Sequence, residues 1–267
     1  MSEAEEKGHG TSAAHHGSIW PLVAGFGAAI GYAGLVTSTT ILGLGIIVFA
    51  AGVGGWIRDD LRSPSSPFYG SSPETPGVVR VSARKLATWV FLATEVMFFT
   101  AIIGGSWAFR LRTANWAEPG EVLNVPLTGL NTFILIVSSL TMVEALAAIE
   151  RGDQKRLRMF LLATMLLGIA FLSFQAYEFY HLYFEEGLTF LTAPDGVNRL
   201  YGPTFFIQTG THGAHVTAGV LAVAYTTAKA FKGGFTKENH ETVELVGLYW
   251  HFVDVVWIFL FTIVYLI

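Results

Sequence analysis

The chain has 267 residues, of which 52% are hydrophobic and only 13% are charged. Soluble domains usually carry about 25% charged residues, so this composition indicates a polytopic membrane protein. The formal net charge of −4 is small and argues against nucleic acid as a partner. The chain has no cysteine, which excludes disulfides, zinc–thiolate sites, iron–sulfur clusters and thiolate copper sites within it.

Residues 1–17, "MSEAEEKGHGTSAAHHG", are polar and small. They lack the basic start and the apolar core of a signal peptide, so we predict a disordered tail. Weak metal binding by His9, His15 and His16 is the alternative interpretation.

Seven apolar segments follow, each about long enough to cross roughly 30 Å of hydrocarbon. They lie near 19–36, 40–57, 86–109, 126–149, 158–182, 203–228 and 242–267. The fold class predicted is therefore an all-α membrane protein with seven transmembrane helices. The first two segments are joined only by "TSTT" and are rich in glycine, which lets helix backbones approach closely in lipid.

The domain organisation follows from one Pro/Ser/Gly-rich stretch, "RSPSSPFYGSSPETPG" at 62–77. We predict a two-helix lobe at 18–61, a linker at 62–81 and a five-helix bundle at 82–267. With the N-terminus inside, the outer loops hold only Arg110, Arg112 and Arg199 of the 16 Lys and Arg. The positive-inside rule therefore predicts an N-inside, C-outside orientation.

Several ionisable residues fall within the predicted spans, where they should face the bundle interior, pair, or line a wet cavity. They are Glu95, Glu144, Glu178, His212, His215, Glu244, His251 and Asp254. His212 and His215 are three residues apart and so share a helix face. A metal site normally needs three or four protein ligands, so we favour a hydrogen-bonded packing pair over metal binding.

His251 and Asp254 have the same spacing in the last span. We favour an ion pair that locks two helices, with a proton relay as the alternative.

Glu95 lies among Leu92, Val96, Phe98 and Phe99, with no basic residue within a helical turn. Desolvation favours the neutral carboxyl. Two interpretations stand equal: a neutral carboxyl hydrogen-bonded to a neighbouring helix, and a reactive carboxyl that faces a lipid-filled cleft.

Five blocks of sequence together resemble one known family. They are "WPL" (20–22), "WIRDDLR" (56–62), "TEVMFF" (94–99), "YGPTFFIQTGTHGAHVTAG" (201–219) and "YWHFVDVVWIFLF" (249–261). In order and spacing they are similar to subunit III of the haem–copper cytochrome c oxidases, from about residue 18 to the last residue. The seven-span count is that of the long form of this family.

The resemblance implies a subunit without a redox cofactor, in a bacterial cytoplasmic membrane. Its partners would be the catalytic subunit I and subunit II, in which haem and copper reduce dioxygen to water and protons are pumped. A V-shaped cleft between the first two helices and the other five would hold structural phospholipids. The family subunit sustains proton uptake, protects against turnover-induced inactivation, and has a cleft proposed as an oxygen route.

The resemblance also assigns residues. Glu95 matches the family carboxyl that reacts with a hydrophobic carbodiimide, and His212 and His215 match two histidines of the sixth helix. Residues matched to the lipid-headgroup region are Trp56, Arg58, Lys229, Lys232, His240 and Glu244. Two departures stand out: Lys229 replaces an arginine and would bind phosphate as a point charge, and Ser63 replaces an acidic residue of some relatives.

Two other functions compete with this interpretation. One is the same subunit of a quinol oxidase or of a nitric-oxide-reductase-linked homologue. The other is a proton-coupled transporter or channel that uses the buried Glu and His residues. A transporter would favour inverted repeats and helices broken at the midplane, and the sequence shows neither.

Overall fold

The computed structural model describes residues 19–62 and 82–267, and within these ranges all regular structure is helical. The long helices are α1 (Trp20–Thr37), α2 (Thr39–Arg62), α3 (Ala83–Arg112), α5 (Val125–Glu150), α6 (Gln154–Phe184), α7 (Tyr201–Phe231) and α8 (Glu241–Phe261). Each coincides with one predicted apolar segment. The predicted tail at 1–17 and the linker beyond Arg62 lie outside the described residues.

Two short elements were not expected from the sequence. Helix α4 (Pro119–Val122) begins at a proline, whose fixed φ suits the first helical turn. A π-helical turn at Thr262–Leu266 extends α8 towards the last residue. Both are too short to show a hydrophobic period, which explains why pattern analysis missed them.

Five helical stretches of the described chain are long and apolar enough to cross a membrane. They are Thr39–Trp56, Ala83–Arg112, Val125–Glu150, Gln154–Phe184 and Glu241–Leu266. The apolar stretch Trp20–Gly31 of α1 is shorter, and α7 is not among the five. Gln208, His212 and His215 lower the hydropathy of α7. The count of seven spans and the N-inside orientation stay predictions.

Residue contacts divide the chain into two compact units, Met1–Val78 and Val79–Ile267. In the first unit, α1 and α2 form a hairpin with glycine at the seam. A Cβ added at Gly27 or Gly34 of α1 would overlap the backbone of Phe49 or Leu42 on α2. The prediction that small residues bring these two backbones together is confirmed for this seam.

The second unit buries its core between α5, α6, α7 and α8. Large side chains with almost no exposed surface come from all four helices: Leu135, Met142, Leu161, Phe171, Phe205, Trp250 and Trp257. Helix α3 packs on α7 and α8, and it buries only Leu92 and Phe99. Lys85 pairs with Glu244 near the first turns of α3 and α8, and Arg110 donates to the Ile267 carbonyl near their other ends. These two contacts place α3 parallel to α8.

The turn between α5 and α6 shows how local sequence ends one helix and begins the next. Gly152 takes a left-handed backbone with φ +80°, which favours glycine and ends α5. Asp153 then caps α6, since its side chain accepts from the Arg156 amide at 3.0 Å. The tight turn makes α5 and α6 antiparallel neighbours.

Candidate functional site: the half-buried Glu95–His215 pair

Glu95 of α3 is joined to His215 of α7. Glu95 Oε2 and His215 Nε2 lie 3.1 Å apart, and the two side chains expose 18% and 20% of their surface. The partner lies 120 positions away along the chain, so no local pattern could have revealed it. The structure thus shows a hydrogen bond from Glu95 to a neighbouring helix.

The second ring nitrogen of His215 fixes where its proton lies. Nδ1 is 2.8 Å from the Thr211 carbonyl oxygen, which can only accept a hydrogen bond. Nδ1 therefore carries a hydrogen. This assignment follows from the hydrogen-bond network, as histidine tautomers ordinarily do.

One further proton makes the contact between the two side chains a hydrogen bond. It resides either on Glu95, as a neutral acid beside a neutral imidazole, or on His215, as a carboxylate beside an imidazolium. Both arrangements have zero net charge, which lowers the cost of placing the pair in an apolar setting. The geometry suits a group that can hold a proton or pass it across one hydrogen bond.

Aromatic side chains surround the pair. The Phe99 ring meets His215 edge-on at 4.9 Å between centroids, and Phe98 lies at 6.2 Å. Tyr249 of α8 donates to the His215 carbonyl at 3.1 Å. Residues from α3, α7 and α8 therefore hold one imidazole in place.

His212 differs from His215 although it is only three residues away. It has no exposed surface, and neither ring nitrogen has a hydrogen-bond partner in the described part of the chain. It stacks on Trp257 at 4.8 Å and meets the edge of Phe171 at 5.8 Å. His212 therefore packs between helices as predicted, but the predicted hydrogen bond is not found among the described residues, because aromatic rings surround its imidazole.

His251 and Asp254 also depart from expectation. No ion pair joins them in the described residues; instead, His251 Nδ1 lies 3.0 Å from the Ser139 hydroxyl of α5. Asp254 is buried beside the same serine, and its Oδ1 has no protein partner there. In place of the predicted ion pair, a hydrogen bond between His251 and Ser139 joins α8 to α5.

The residues predicted to bind a lipid headgroup fall in both units. Trp56 and Arg58 are exposed on α2. Lys229 lies over the Phe235 ring at 4.8 Å, Lys232 follows the last residue of α7, and His240 precedes the first residue of α8. Glu244 is paired with Lys85. Their assembly around one headgroup stays a prediction.

Sequence reasoning flagged Glu178 as a buried carboxyl but missed its network. Thr128 donates to Oε1 and Tyr265 donates to Oε2, both at 2.9 Å. Two tryptophans make similar links: Trp250 donates to Ser138 at 3.0 Å and Trp257 to Thr132 at 2.9 Å. The donors and acceptors lie on different helices, so the sequence could show which residues are able to form hydrogen bonds but not which of them are partners.

Within residues 19–62 and 82–267, no group of three or more His, Asp or Glu side chains could hold a metal ion. The polar centre consists of pairs and small networks that join one helix to another. This arrangement defines a helical membrane protein whose intramembrane polar groups are satisfied largely between helices.

Comparison with known proteins identifies the family. The family model described as "Cytochrome c oxidase subunit III" matches residues 12–267, and the chain belongs to this family. It is 41% identical over 191 residues to cytochrome c oxidase subunit 3 of Corynebacterium diphtheriae, covering 70% of this chain and 90% of the relative. It is 33% identical over 265 residues to cytochrome c oxidase subunit 3 of Cyprinus carpio, covering 93% and 94%.

A relative named for a different electron donor, quinol, has a similar sequence identity to this chain. Quinol oxidase subunit 3 of Bacillus subtilis is 35% identical over 181 residues, covering 68% of this chain and 85% of the relative. The chain is thus a subunit III of the haem–copper oxidase family and belongs to an oxidase complex.

Proposed function

We propose that this chain is the non-catalytic, cofactor-free subunit III of a proton-pumping terminal oxidase in a bacterial cytoplasmic membrane. Haem and copper reside in the partner subunits I and II, and dioxygen is reduced to water there. The chain stabilises the catalytic subunit and supports its proton uptake. The Glu95–His215 pair carries this proposal, because it places a group that can hold a proton between α3 and α7 of the bundle.

The proposal includes seven spans, with the N-terminus inside and the C-terminus outside. Structural phospholipids bind the chain on the inner side of the membrane. Their headgroups lie against Trp56 and Arg58 in the first unit, and against Lys229, Lys232 and His240 in the second. Each basic residue near an anionic surface contributes about 1 kcal/mol.

Cytochrome c is the electron donor proposed here, as in the names of the relatives from Corynebacterium diphtheriae and Cyprinus carpio. The quinol oxidase relative supports the alternative donor. Oxidation assays on the purified complex with reduced cytochrome c and with a quinol separate the two.

Copurification tests the central proposal against a transporter or channel. A tagged chain extracted in mild detergent should bring haem absorption and copper with it in fixed proportion. After dissociation of the complex, the isolated chain should contain neither metal. A chain that elutes free of haem, or one that keeps stoichiometric iron or copper when isolated, would contradict the proposal.

Lipid retention tests the headgroup site. Native mass spectrometry of the complex should show bound phospholipid that decreases in the double variant Arg58→Gln/Lys229→Gln. The control is Lys237→Gln, an exposed lysine of the α7–α8 loop that is not assigned to the site. Equal lipid loss in the control, or none in the double variant, would remove these residues from the site.

A further inference from the structure

The seam between α5 and α8 carries a polar group on the outside of the bundle. His251 of α8 is half-buried, and its Nδ1 lies 3.0 Å from the Ser139 hydroxyl of α5. The other ring nitrogen, Nε2, has no hydrogen-bond partner among the described residues, and the buried side-chain atoms that lack a partner do not include it. Nε2 therefore reaches the surface of the bundle with its hydrogen-bonding capacity unused.

In a membrane, this nitrogen lies at a depth where lipid cannot satisfy it. His251 is ten residues from Glu241 and fifteen from Leu266, the two ends of an apolar stretch long enough to cross a membrane. At 1.5 Å per residue these separations are about 15 Å and about 23 Å, so His251 lies near the middle of a hydrocarbon core about 30 Å thick. Ionisable side chains at this depth ordinarily face protein.

Apolar side chains frame the polar centre of the seam. Ile136 of α5, Val255 of α8 and Ile258 of α8 expose 44%, 49% and 43% of their surface. Each lies one or two helical turns from Ser139 or His251 on its own helix, and so on the same face. Hydrogen bonds and close packing join helices in membranes, and this seam offers both a polar centre and an apolar surround.

The depth of His251 favours a protein helix over a lipid as the covering group. The polar groups of a phospholipid lie at the edge of the hydrocarbon core, about 15 Å from its middle. An acyl chain over the seam would leave Nε2 without a hydrogen bond. A transmembrane helix can bring a polar side chain to the same depth.

The chemistry of the imidazole narrows the side chain that faces it. The Ser139 hydroxyl can donate or accept, so either tautomer of His251 is compatible with the contact at Nδ1. Nε2 correspondingly accepts or donates one hydrogen bond. A hydroxyl or an amide side chain can do either, and neither brings a charge into the hydrocarbon core.

We propose that a transmembrane helix of the haem-containing subunit packs on the seam between α5 and α8 and presents a hydroxyl or amide side chain to His251 Nε2. This inference rests on the proposed function, which supplies the haem-containing subunit as the partner. His251 makes one hydrogen bond within the chain and one to the partner, and so joins α5, α8 and the partner helix at one point.

The first test is crosslinking within the assembled complex. A photoreactive benzophenone amino acid replaces Val255 or Ile136 in a tagged chain, and haem recovered with the tag before irradiation shows that the complex has formed. Irradiation should join both positions to the haem-containing subunit. The matched control is Ile169, which is 43% exposed and lies near the middle of Gln154–Phe184, on a helix that packs on α5 and α7. It should give several-fold less of that product.

The products distinguish the groups that could cover the seam. Crosslinks from Val255 and Ile136 to lipid, to a second copy of this chain or to its own α1–α2 hairpin would overturn the proposal. So would the absence of a protein product, or as much product with the haem-containing subunit from Ile169 as from the seam. A tagged chain that recovers no haem before irradiation would contradict the proposed function, and this inference with it.

The second test separates the two hydrogen bonds of His251. The amide of an asparagine lies about where Nδ1 does, whereas the amide of a glutamine reaches the position of Nε2. His251→Asn should therefore keep the contact with Ser139 and lose the one with the partner, and His251→Gln should do the reverse. After a wash in a harsher detergent, we expect several-fold less haem with the tagged His251→Asn chain and near wild-type haem with the His251→Gln chain.

Wild-type haem recovery from His251→Asn, or a loss from His251→Gln as large as that from His251→Asn, would overturn the proposal. If neither variant inserts into the membrane, the crosslinks decide alone, because they are made with His251 in place.

Discussion

The α1–α2 hairpin and the five-helix bundle are stabilised in different ways. In the hairpin, glycines allow two backbones to touch, as at Gly27 against Phe49 and at Gly45 against Gly31. In the bundle, large side chains fill the space, and tryptophan, tyrosine and carboxyl groups form hydrogen bonds across helices. Trp250 with Ser138 and Tyr265 with Glu178 are examples.

The difference shows two solutions to one problem. Apolar side chains gain little by leaving lipid for another apolar surface, so helices associate through close packing and through hydrogen bonds. The hairpin relies on close packing. The bundle uses both close packing and hydrogen bonds, and the contact between Glu95 and His215 is one of these hydrogen bonds.

The hairpin should be the more sensitive to added volume, and Gly27→Leu should have the largest effect of the changes considered. The new side chain would overlap the α2 backbone, which cannot move aside as a side chain can. We expect most of the assembled complex to be lost, as measured by the haem-containing material recovered with a tagged chain.

Gly25→Leu is the matched control for that change. It adds the same side chain two residues away, where a Cβ meets nothing within 4 Å. Near-normal recovery is expected. Equal damage from both substitutions would show that the glycine seam does not hold the hairpin.

In the bundle, Glu178→Ala should lower stability next most strongly. It strands the Tyr265 hydroxyl at a cost of about 1–3 kcal/mol and removes one partner of the Thr128 hydroxyl, which keeps the Asn124 carbonyl at 3.1 Å. Tyr265→Phe should cost less, because the carboxyl keeps its bond from Thr128. Midpoints of thermal denaturation should rank Glu178→Ala, Tyr265→Phe and wild type in rising order.

The control for Glu178 is Glu185, which follows the last residue of α6. Glu185→Ala removes an exposed carboxylate that contacts His181. Exposed pairs contribute at most about 1 kcal/mol, so its midpoint should stay near wild type. A Glu178→Ala midpoint as high as that of Glu185→Ala would refute the buried network.

Replacement by phenylalanine should change stability differently at the two histidines of α7. His215→Phe removes the bond to Glu95 and leaves a partly buried carboxyl without its partner, at a cost of about 1–3 kcal/mol. His212→Phe keeps a ring against Trp257 and removes two unpaired nitrogens, so it should be close to neutral. Denaturation midpoints of both variants test this, and a larger loss for His212→Phe would reverse the assignment.

The ion pair between Lys85 and Glu244 should contribute least. About a third of each side chain is exposed, at 34% and 31%, and partly exposed pairs contribute roughly 0–1 kcal/mol. A double-mutant cycle with Lys85→Met and Glu244→Gln should give a small coupling that falls as salt rises. Coupling that is large and insensitive to salt would show a buried pair instead.

Helix positions were readable from the sequence because hydrophobic length and breakers are local properties. The prediction of 126–149, for example, lies one residue inside each end of Val125–Glu150. The sequence also predicted that glycines lie between α1 and α2. It did not predict which glycines make the contact: a Cβ at Gly27 would meet the α2 backbone, whereas one at Gly25 would meet nothing within 4 Å. Which side of a helix meets its neighbour depends on packing.

The site was predictable only in part, for the same reason. Glu95, His212 and His215 were singled out by residue type and by the resemblance, yet their partners depend on how α3, α7 and α8 pack. Identical i, i+3 reasoning predicted one fate for both histidines. The structure gives His215 a carboxyl and His212 an aromatic stack.

Oxygen consumption by reconstituted Glu95→Gln complex, together with its haem and copper content, tests most directly that this chain is a non-catalytic subunit. Glutamine keeps the volume of Glu95, and its amide can donate to His215 Nε2 as the neutral acid does. We predict normal assembly, normal haem and copper, and oxygen reduction that continues at steady state, with at most a modest change in turnover lifetime or proton uptake. If oxygen consumption collapsed while haem and copper stayed at wild-type content, Glu95 would belong to the chemistry and the non-catalytic role would be wrong.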